Sequence, residues 1–234
     1  MRLDRLLYKG IRRAYRRTRK LTDTAYTRWL FSIYRVQSGY GLESYGIPDL
    51  YLQKGATMTI GTRFKMYNGR SHTKAGQDQN CLFSLQENAV LTIGSNVTVS
   101  SFTAVCVEAI TIGDNVRIGV DTCCYDSDFH SMRYYDRSSV PETRNYTITM
   151  PVVIENDCFI GNHCTILKGV RIGARAVVGP GSVVAKNIPS DEVWAGNPAQ
   201  FVQKIDDDFL KTIDLHFSKR KAQSPFPPPK PTKN

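Results

Sequence analysis

Aliphatic residues recur every six positions over much of this chain. The residue that follows the aliphatic is often Gly, and the residue four positions on is small or apolar. A period of six fits neither one face of a helix nor a plain hairpin, but it fits a chain that repeats a short strand and a glycine-assisted corner. The pattern therefore predicts a β-solenoid. Its positions are Ile154, Ile160, Ile166, Ile172, Val178 and Val184, with Ile112 and Ile118 upstream in the same register and a shifted copy at Ile93, Val99 and Val105.

Three hexapeptides per triangular turn would stack residues that are eighteen apart. Ile154 would then lie on Ile172, and the later aliphatic residues would stack in the same way, so that parallel ladders join successive turns around an apolar interior. In this register Cys158 and Cys164 are small packed residues rather than chemical groups.

The sequence divides into three parts, and the second of them contains a loop that lacks the repeat. Residues 1–37 have a helical apolar pattern with arginines between the apolar residues, and residues 38–205 contain the solenoid. Residues 131–150 lack the pattern and predict a long loop, which in a compact repeat is usually functional. Residues 206–216 predict a short capping helix within the C-terminal part 206–234, which ends in a proline-rich tail.

The 234 residues carry a net charge of +10, and its distribution excludes some functions. Residues 1–37 account for +9 and residues 215–234 for +5, which leaves −4 for the body. Nucleic-acid binding is not expected, because the basic charge lies on appendages and no recognition signature is present. No apolar run suggests a membrane span or a signal peptide, so we expect a cytoplasmic protein with reduced cysteines.

The segment PVVIENDCFIGNHCTILKGVRIGARAVVGPGSVVAKNIPSDEVWAGNPAQFV, residues 151–202, closely resembles the hexapeptide-repeat acyltransferases. Within that family it is most similar to the sugar and polysaccharide O-acetyltransferases related to maltose and galactoside acetyltransferase, and the resemblance covers about residues 55–205. It implies an all-β, left-handed parallel β-helix, a homotrimer, and acetyl-CoA as the acyl donor. Period six alone does not specify the handedness.

The segment CCYDSDFHSM, residues 123–132, holds the strongest candidate for chemistry, at the point where the repeat breaks into the loop. Imidazole can take a proton from a sugar hydroxyl near neutral pH. The resemblance implies that His130 is this catalytic base, with Ser131 and Met132 in place of the usual Pro-Leu. Asp126 and Asp128 could orient the imidazole or bind the acceptor, or could simply form the turn.

The resemblance also implies the residues that hold CoA, in a groove between subunits. The matching positions are Asn162, His163, Gly181, Ser182 and Lys186, of which Lys186 suits a phosphate. The acceptor contacts are less clear, because Ser100, Ser101 and Thr103 stand where the family often has Asn, and Glu108 is a loose candidate. A metal site is not expected, because His72, His130, His163 and His216 include no close-spaced pair.

The sequence therefore predicts an acetyl-CoA-dependent O-acetyltransferase that acts on a sugar hydroxyl, in surface polysaccharide or lipid-linked glycan assembly. Two alternatives stay open, namely transfer to an amine of an amino sugar or small amine, and a non-catalytic β-helix that binds partners. Residues 1–37 could pack on the first turn of the solenoid, or could contact the inner face of a membrane peripherally.

Overall fold

The chain was studied as a computed structural model, in which residues 3–69, 79–142 and 146–223 are described. A long helix, α1 (Leu3–Ile33), precedes a parallel β-helix of six coils in these ranges. Each coil contributes one short strand to each of three sheets, and successive coils pair in parallel. The prediction of a repeated-strand solenoid is confirmed.

The strands of the three sheets alternate along the chain. The first sheet contains β1 (Gln37–Ser38), β4 (Thr57–Ile60), β7 (Val90–Ile93), β10 (Ala109–Ile112), β13 (Val152–Ile154) and β16 (Arg171–Ile172). The second contains β2 (Glu43–Tyr45), β5 (Lys65–Tyr67), β8 (Thr98–Ser100), β11 (Arg117–Ile118), β14 (Phe159–Ile160) and β17 (Val177–Val178), followed by the hairpin β19 (Glu192–Ala195) and β20 (Gln200–Lys204). The third contains β3 (Asp49–Leu52), β6 (Leu82–Leu85), β9 (Thr103–Cys106), β12 (Cys123–Tyr125), β15 (Thr165–Ile166) and β18 (Val183–Val184).

The eighteen-residue stacking is observed in the last two coils, where Ile154 pairs with Ile172 and Ile166 with Val184. Cys158 and Cys164 are buried and lie in the interior, as predicted. The shifted upstream register is wrong at Val105, which is half-buried while Ala104 and Cys106 on either side of it are fully buried. The corner after Val99 is one residue shorter than the hexapeptide spacing, so the next inward position is Ala104.

The glycines of the Ile-Gly pairs are explained by crowding. Gly161 does not have a positive φ, but a Cβ added to it would lie 2.6 Å from the backbone nitrogen of Pro180 in the next coil. Coils stacked at sheet spacing leave no room for a side chain there. The corner turns instead use left-handed residues such as Asn96, Asn115 and Asp157, residue types that tolerate this conformation comparatively well.

Among the described side chains of α1, those that pack on the first coil lie in its C-terminal half. The Asp23 carboxylate accepts the backbone N–H of Gly46 at 2.8 Å, Lys20 pairs with Glu43 at 2.9 Å, and Phe31 is buried. The predicted packing of residues 1–37 on the solenoid therefore holds for the second half of the helix. In the described parts of the chain, no helix combines the length and the apolar character needed to cross a membrane.

The loop between β12 and β13 leaves the solenoid where the hexapeptide pattern stops. It contains a short helix, α2 (Tyr134–Arg137), and returns alongside its own start, where Ser127 and Thr149 form an antiparallel bridge. The C-terminal helix α3 (Asp207–Gln223) is longer than the predicted 206–216. Most of its side chains are exposed up to Ser218, so its packing on the last coil is limited. The predicted proline-rich tail lies outside the described residues.

Candidate functional site

His130 and several other candidate groups for chemistry lie along one edge of the three-sided β-helix, where each strand of the third sheet ends. We call this edge the third corner and define it as the residues between the strands of the third sheet and the next strand of the first sheet. Because Leu52, Leu85 and Cys106 are in register, Gln53 and Gln86 stack at this corner in the early coils. The loop with His130 leaves from the same corner one coil after Cys106, and Lys168 and Lys186 follow in the last two coils.

His130 is held by a carboxylate from the far side of its loop. Its Nδ1 lies 2.7 Å from Oε1 of Glu142, and the two side chains are 55% and 25% exposed. Among the described residues, Nε2 has no hydrogen-bond partner. An imidazole whose Nδ1–H is fixed on a carboxylate presents Nε2 as the proton acceptor. The pair with Glu142 therefore leaves Nε2 as the ring nitrogen that can accept a proton.

The turn that carries His130 is braced by a second carboxylate. Asp136 accepts a hydrogen bond from the Ser131 hydroxyl at 2.7 Å and another from Arg133 Nε at 2.8 Å. Arg137 donates to the backbone oxygen of Ser131 at 2.6 Å. The Arg133 guanidinium, together with the Ser131 hydroxyl, holds the pKa of Asp136 below its usual range. These contacts fix the residues that directly follow the base.

The two predicted acidic partners of His130 have other contacts. Asp126 is fully buried, and its two oxygens accept the backbone N–H groups of Val107 and Glu108, each at 2.8 Å. The carboxylate of Asp128 lies 2.7 Å from Nζ of Lys168. Asp126 thus ties the loop to the preceding coil and Asp128 ties it to the following one. The catalytic role proposed for them from the sequence stays a prediction.

A cavity of about 400 Å³ lies beside the His130 turn on its N-terminal side. The amide Nε2 of Gln53 donates to Oε1 of Gln86 at 2.8 Å on this surface. The buried Oγ1 of Thr147, which also belongs to the lining, has no hydrogen-bond partner in the described structure. Six of the eight lining residues carry an amide, carboxylate or hydroxyl group; the lining is formed by Gln53, Gln86, Glu87, Val107, Ser127, Phe129, Thr147 and Thr149.

Phe129 connects the cavity to the base, because it lines the cavity and directly precedes His130. Its φ of 64° is a left-handed conformation that costs a bulky residue about 1–3 kcal/mol. The backbone N–H of Phe129 donates to Oγ of Ser127 at 3.0 Å, and that of His130 to the carbonyl oxygen of Asp128 at 2.8 Å. The strained turn therefore places His130 directly after a residue of the cavity lining.

Four of the five predicted CoA-binding residues lie on a different edge, the second corner, between the strands of the second and third sheets. His163 has a φ of 56° there, and its Nδ1 lies 3.2 Å from Oδ2 of Asp121 in the preceding coil. Oδ1 of Asn162 accepts the N–H of Val120 at 3.0 Å, and Ser182 is buried and donates to the carbonyl oxygen of Gly179 at 2.7 Å. Gly181 has open space around its Cα.

The fifth predicted CoA residue, Lys186, is exposed at the third corner, one coil beyond Lys168. The predicted cofactor residues therefore flank the third sheet from both sides instead of forming one cluster. Of the looser acceptor candidates, Glu108 is exposed and Ser101 donates to the carbonyl oxygen of Gln79 at 2.7 Å. In the described ranges no cluster of His, Cys, Asp and Glu could hold a metal ion, and His72 lies outside those ranges.

Sequence reasoning missed Glu142, Gln53 and Gln86. Glu142 is one of only two acids in residues 131–150, and this scarcity was the signal that could have selected it as a partner for His130. Gln53 and Gln86 follow the apolar ends of two strands, but they precede the regular part of the repeat, where the register could not be read. The stacking of coils and the return of the loop bring them into one cavity lining with Phe129.

Known proteins resemble this chain in its repeat and in its fold. Residues 151–186 match the family described as bacterial transferase hexapeptide (six repeats). The galactoside O-acetyltransferase of Escherichia coli (strain K12) is 35% identical over 98 residues, 42% of this chain and 45% of that protein. The mitochondrial gamma carbonic anhydrase 2 of Arabidopsis thaliana is 47% identical over 62 residues, 26% of this chain and 22% of that protein. The resemblance to hexapeptide-repeat transferases is confirmed.

Among solved structures, AntD, an N-acyltransferase from Bacillus cereus in complex with dTDP and 3-hydroxybutyryl-CoA, superposes with a TM-score of 0.59. It is 16% identical, and the match covers 83% of this chain and 96% of that one. At this identity the likeness concerns the fold alone. The chain spans less than half the length of the two curated relatives described above.

Proposed function

We propose that this chain is a CoA-dependent acyltransferase that moves an acetyl group from acetyl-CoA to a hydroxyl of a sugar. The observation that carries the proposal is the His130–Glu142 pair beside a cavity lined with hydrogen-bonding side chains. The match to the transferase hexapeptide family and the galactoside O-acetyltransferase relative support the same chemistry.

In the proposed reaction, Nε2 of His130 takes the proton from the acceptor hydroxyl as its oxygen attacks the thioester carbonyl. The C–O bond forms, the C–S bond breaks, and CoA leaves as a thiol once the proton is returned to its sulfur. Glu142 stabilises the imidazolium that forms in between. A positioned base of this kind is worth on the order of 10² to 10⁴ in rate. Backbone N–H groups of the groove would stabilise the oxyanion.

We assign the acceptor to the cavity beside Phe129. Gln53, Gln86 and Thr147 offer amide and hydroxyl groups that both donate and accept, which suits a ligand with several hydroxyls. The buried Oγ1 of Thr147 would gain the partner it lacks, and an unmade buried hydrogen bond is costly. Glu87, also in the lining, would favour an ammonium group, which makes an amino acceptor the competing outcome of the test.

We further propose that the site is shared between copies in a homotrimer and that the coil is left-handed, as the family resemblance implies. His130 lies at the third corner, whereas Asn162, His163 and Gly181 lie at the second. Packing of one copy against the next would bring a second corner beside a third corner and complete a CoA groove. Lys186 and Lys168 at the C-terminal side would meet its phosphates. The proposed setting is cytoplasmic assembly of a surface polysaccharide or lipid-linked glycan.

The test combines binding with turnover. Thermal shift with CoA is measured first, followed by release of free CoA thiol from acetyl-CoA in the presence of neutral sugars and matched amino sugars. We expect CoA to raise the melting temperature and neutral sugars to accelerate thiol release. His130→Ala should retain the CoA shift and lose at least a hundredfold in turnover.

Any other result of this test favours a different acceptor, a non-catalytic role or a different base. Turnover with amino sugars only would replace the hydroxyl acceptor by an amine. An absence of any CoA shift would favour a non-catalytic solenoid. Retention of more than about a tenth of turnover in His130→Ala would exclude His130 as the base. Molecular mass in solution tests the trimer.

A further inference from the structure

In the first half of α1, the side chains that the structure describes, from Leu7 onward, do not pack on the folded body. Every residue from Leu7 to Thr18 is exposed, on all sides of the helix, and the first half-buried residues are Arg19 and Lys20. Isolated helices of this length are marginal in water, because helix nucleation is costly and packing normally supplies the stability. A helical segment that projects in this way would gain stability from a partner surface.

One face of α1 presents an apolar stripe along its whole length. The stripe positions are spaced three, four or seven residues apart, which is about one or two helical turns, so they fall on one side of the helix. Leu7, Ile11 and Leu21 are 66%, 62% and 64% exposed. The stripe spans about 39 Å at 1.5 Å per residue. Its members are Leu7, Ile11, Ala14, Leu21, Ala25, Trp29 and Ile33, with Tyr8, Tyr15 and Tyr26 along its margin.

The stripe and the packed face lie on opposite sides of the helix. Asp23, Thr27 and Phe31, which are buried against the first coil, are spaced four residues apart on the far side from Leu21, Ala25 and Trp29. The apolar face therefore points away from the body even where the helix is docked. A flat surface can cover the entire stripe without displacing α1 from the solenoid.

The charge on the projecting segment is uniformly basic. Residues 7–18 contain five Lys and Arg, and no acid occurs between Asp4 and Asp23. Arg12 and Arg17 flank the stripe on its two sides at about 100° per residue, and neither forms an ion pair with a described side chain. Long guanidinium side chains at such positions can keep their charge in water while their stems lie along an apolar surface.

We propose that α1 lies flat on an anionic lipid surface, with the stripe in the headgroup region and the β-helix on the aqueous side. Apolar residues including a Trp on one face, basic residues beside them, and Tyr at the margin are the features of an interfacial helix. A second copy of α1 is the competing occupant. It would place the five basic residues of the projecting segment beside five more, with no acid between Leu7 and Thr18 to offset them.

The inference does not depend on the acyltransferase activity, because its readout is binding alone. Full-length protein is sedimented with vesicles of neutral phosphatidylcholine, or of phosphatidylcholine with one third phosphatidylglycerol, at low and high salt. We expect binding to the anionic vesicles at low salt, and weaker binding at high salt because exposed charges are screened. Neutral vesicles should bind at least tenfold more weakly.

Two variants and one matched control test the apolar stripe and the basic residues beside it separately. Leu7→Ser with Ile11→Ser should lower vesicle affinity at least tenfold, because it removes apolar area from the stripe. Arg12→Gln with Arg17→Gln should lower it roughly 25-fold at low salt and much less at high salt. Leu215→Ser removes a leucine that is 57% exposed on α3, and it should leave binding unchanged.

The outcomes distinguish a lipid surface from a second copy of α1 as the partner of the stripe. Full-length protein that stays in the supernatant with anionic vesicles at low salt overturns the proposal. So does a Leu7→Ser with Ile11→Ser variant that keeps vesicle binding but has a smaller mass in solution, since the stripe would then be a contact between copies. Because these side chains are exposed, the variants should keep the melting temperature of the full chain, which verifies that the body is folded.

Discussion

Replacement of Glu142 by Gln tests how the base is held. The substitution keeps a hydrogen-bond acceptor 2.7 Å from Nδ1 of His130 but removes the negative charge that stabilises the imidazolium. A hydrogen bond to a charged partner is worth about 1.5–3 kcal/mol. Because the His130 side chain is 55% exposed, solvent screening places this one near the lower end. About 1.4 kcal/mol corresponds to a tenfold loss in rate.

The assay is steady-state turnover with acetyl-CoA and the best acceptor from the screen. We expect Glu142→Gln to lower kcat about tenfold and to leave the KM for acetyl-CoA unchanged, because Glu142 contacts His130 and none of the predicted CoA-binding residues. Glu142→Ala, which also removes the acceptor that orients the ring, should lower kcat further. The melting temperature should be the same in both variants, because the loop lies outside the interior of the solenoid.

A double-mutant cycle decides whether Glu142 acts through His130. If it does, Glu142→Gln has no further effect once His130 is Ala, because groups that act as a unit are not additive. An additional tenfold loss in the His130→Ala background would refute the pairing as the source of the effect. Unchanged kcat in the single variant would refute the orienting role.

Three further predictions test the fold and the loop. Ile160→Asp should destabilise the protein by more than about 4 kcal/mol, because it buries an unpaired charge, whereas the neighbouring Phe159→Asp on the outward face should change the melting temperature little. Iodoacetamide at pH 8 should modify at most Cys123 in the native protein, because burial raises the pKa of the other five thiols, and mass spectrometry should count six modifications after unfolding. The pKa of Asp136 is lowered by Arg133, so its bracing of the loop is present above the usual Asp pKa and is lost as pH falls through the lowered value. Hydrogen exchange of residues 131–142, corrected for the intrinsic rate, should therefore rise only below about pH 4.

The sequence was informative wherever the structure repeats. Ile154, Ile160 and Ile166 could be placed in the interior before any coordinates were known, because each turn of a regular solenoid imposes the same inward positions on the chain. The same regularity made the break before residue 131 visible, and the break directed attention to His130. Where a corner lost one residue, as it did after Val99, the period no longer fixed the register and the inward assignment of Val105 was wrong.

Partnerships between side chains required the tertiary structure. Glu142 is twelve residues from His130 in a segment without a period, so only the folded loop brings the two together. Asp126 and Asp128 are closer in sequence, but the neighbouring coils supply backbone N–H groups and Lys168, and these contacts take their carboxylates away from the ring.

The amino-terminal helix shows both what the sequence determines and what requires the tertiary structure. Its composition and spacing determined an amphipathic basic helix, because helical periodicity can be read directly from the chain. Which of its faces meets the body was decided by Asp23, Thr27 and Phe31 against the first coil, contacts between residues far apart in sequence. Local pattern is set by the repeat of the backbone, whereas long-range contacts depend on how coils, loop and helix pack, and no single stretch of sequence encodes that packing.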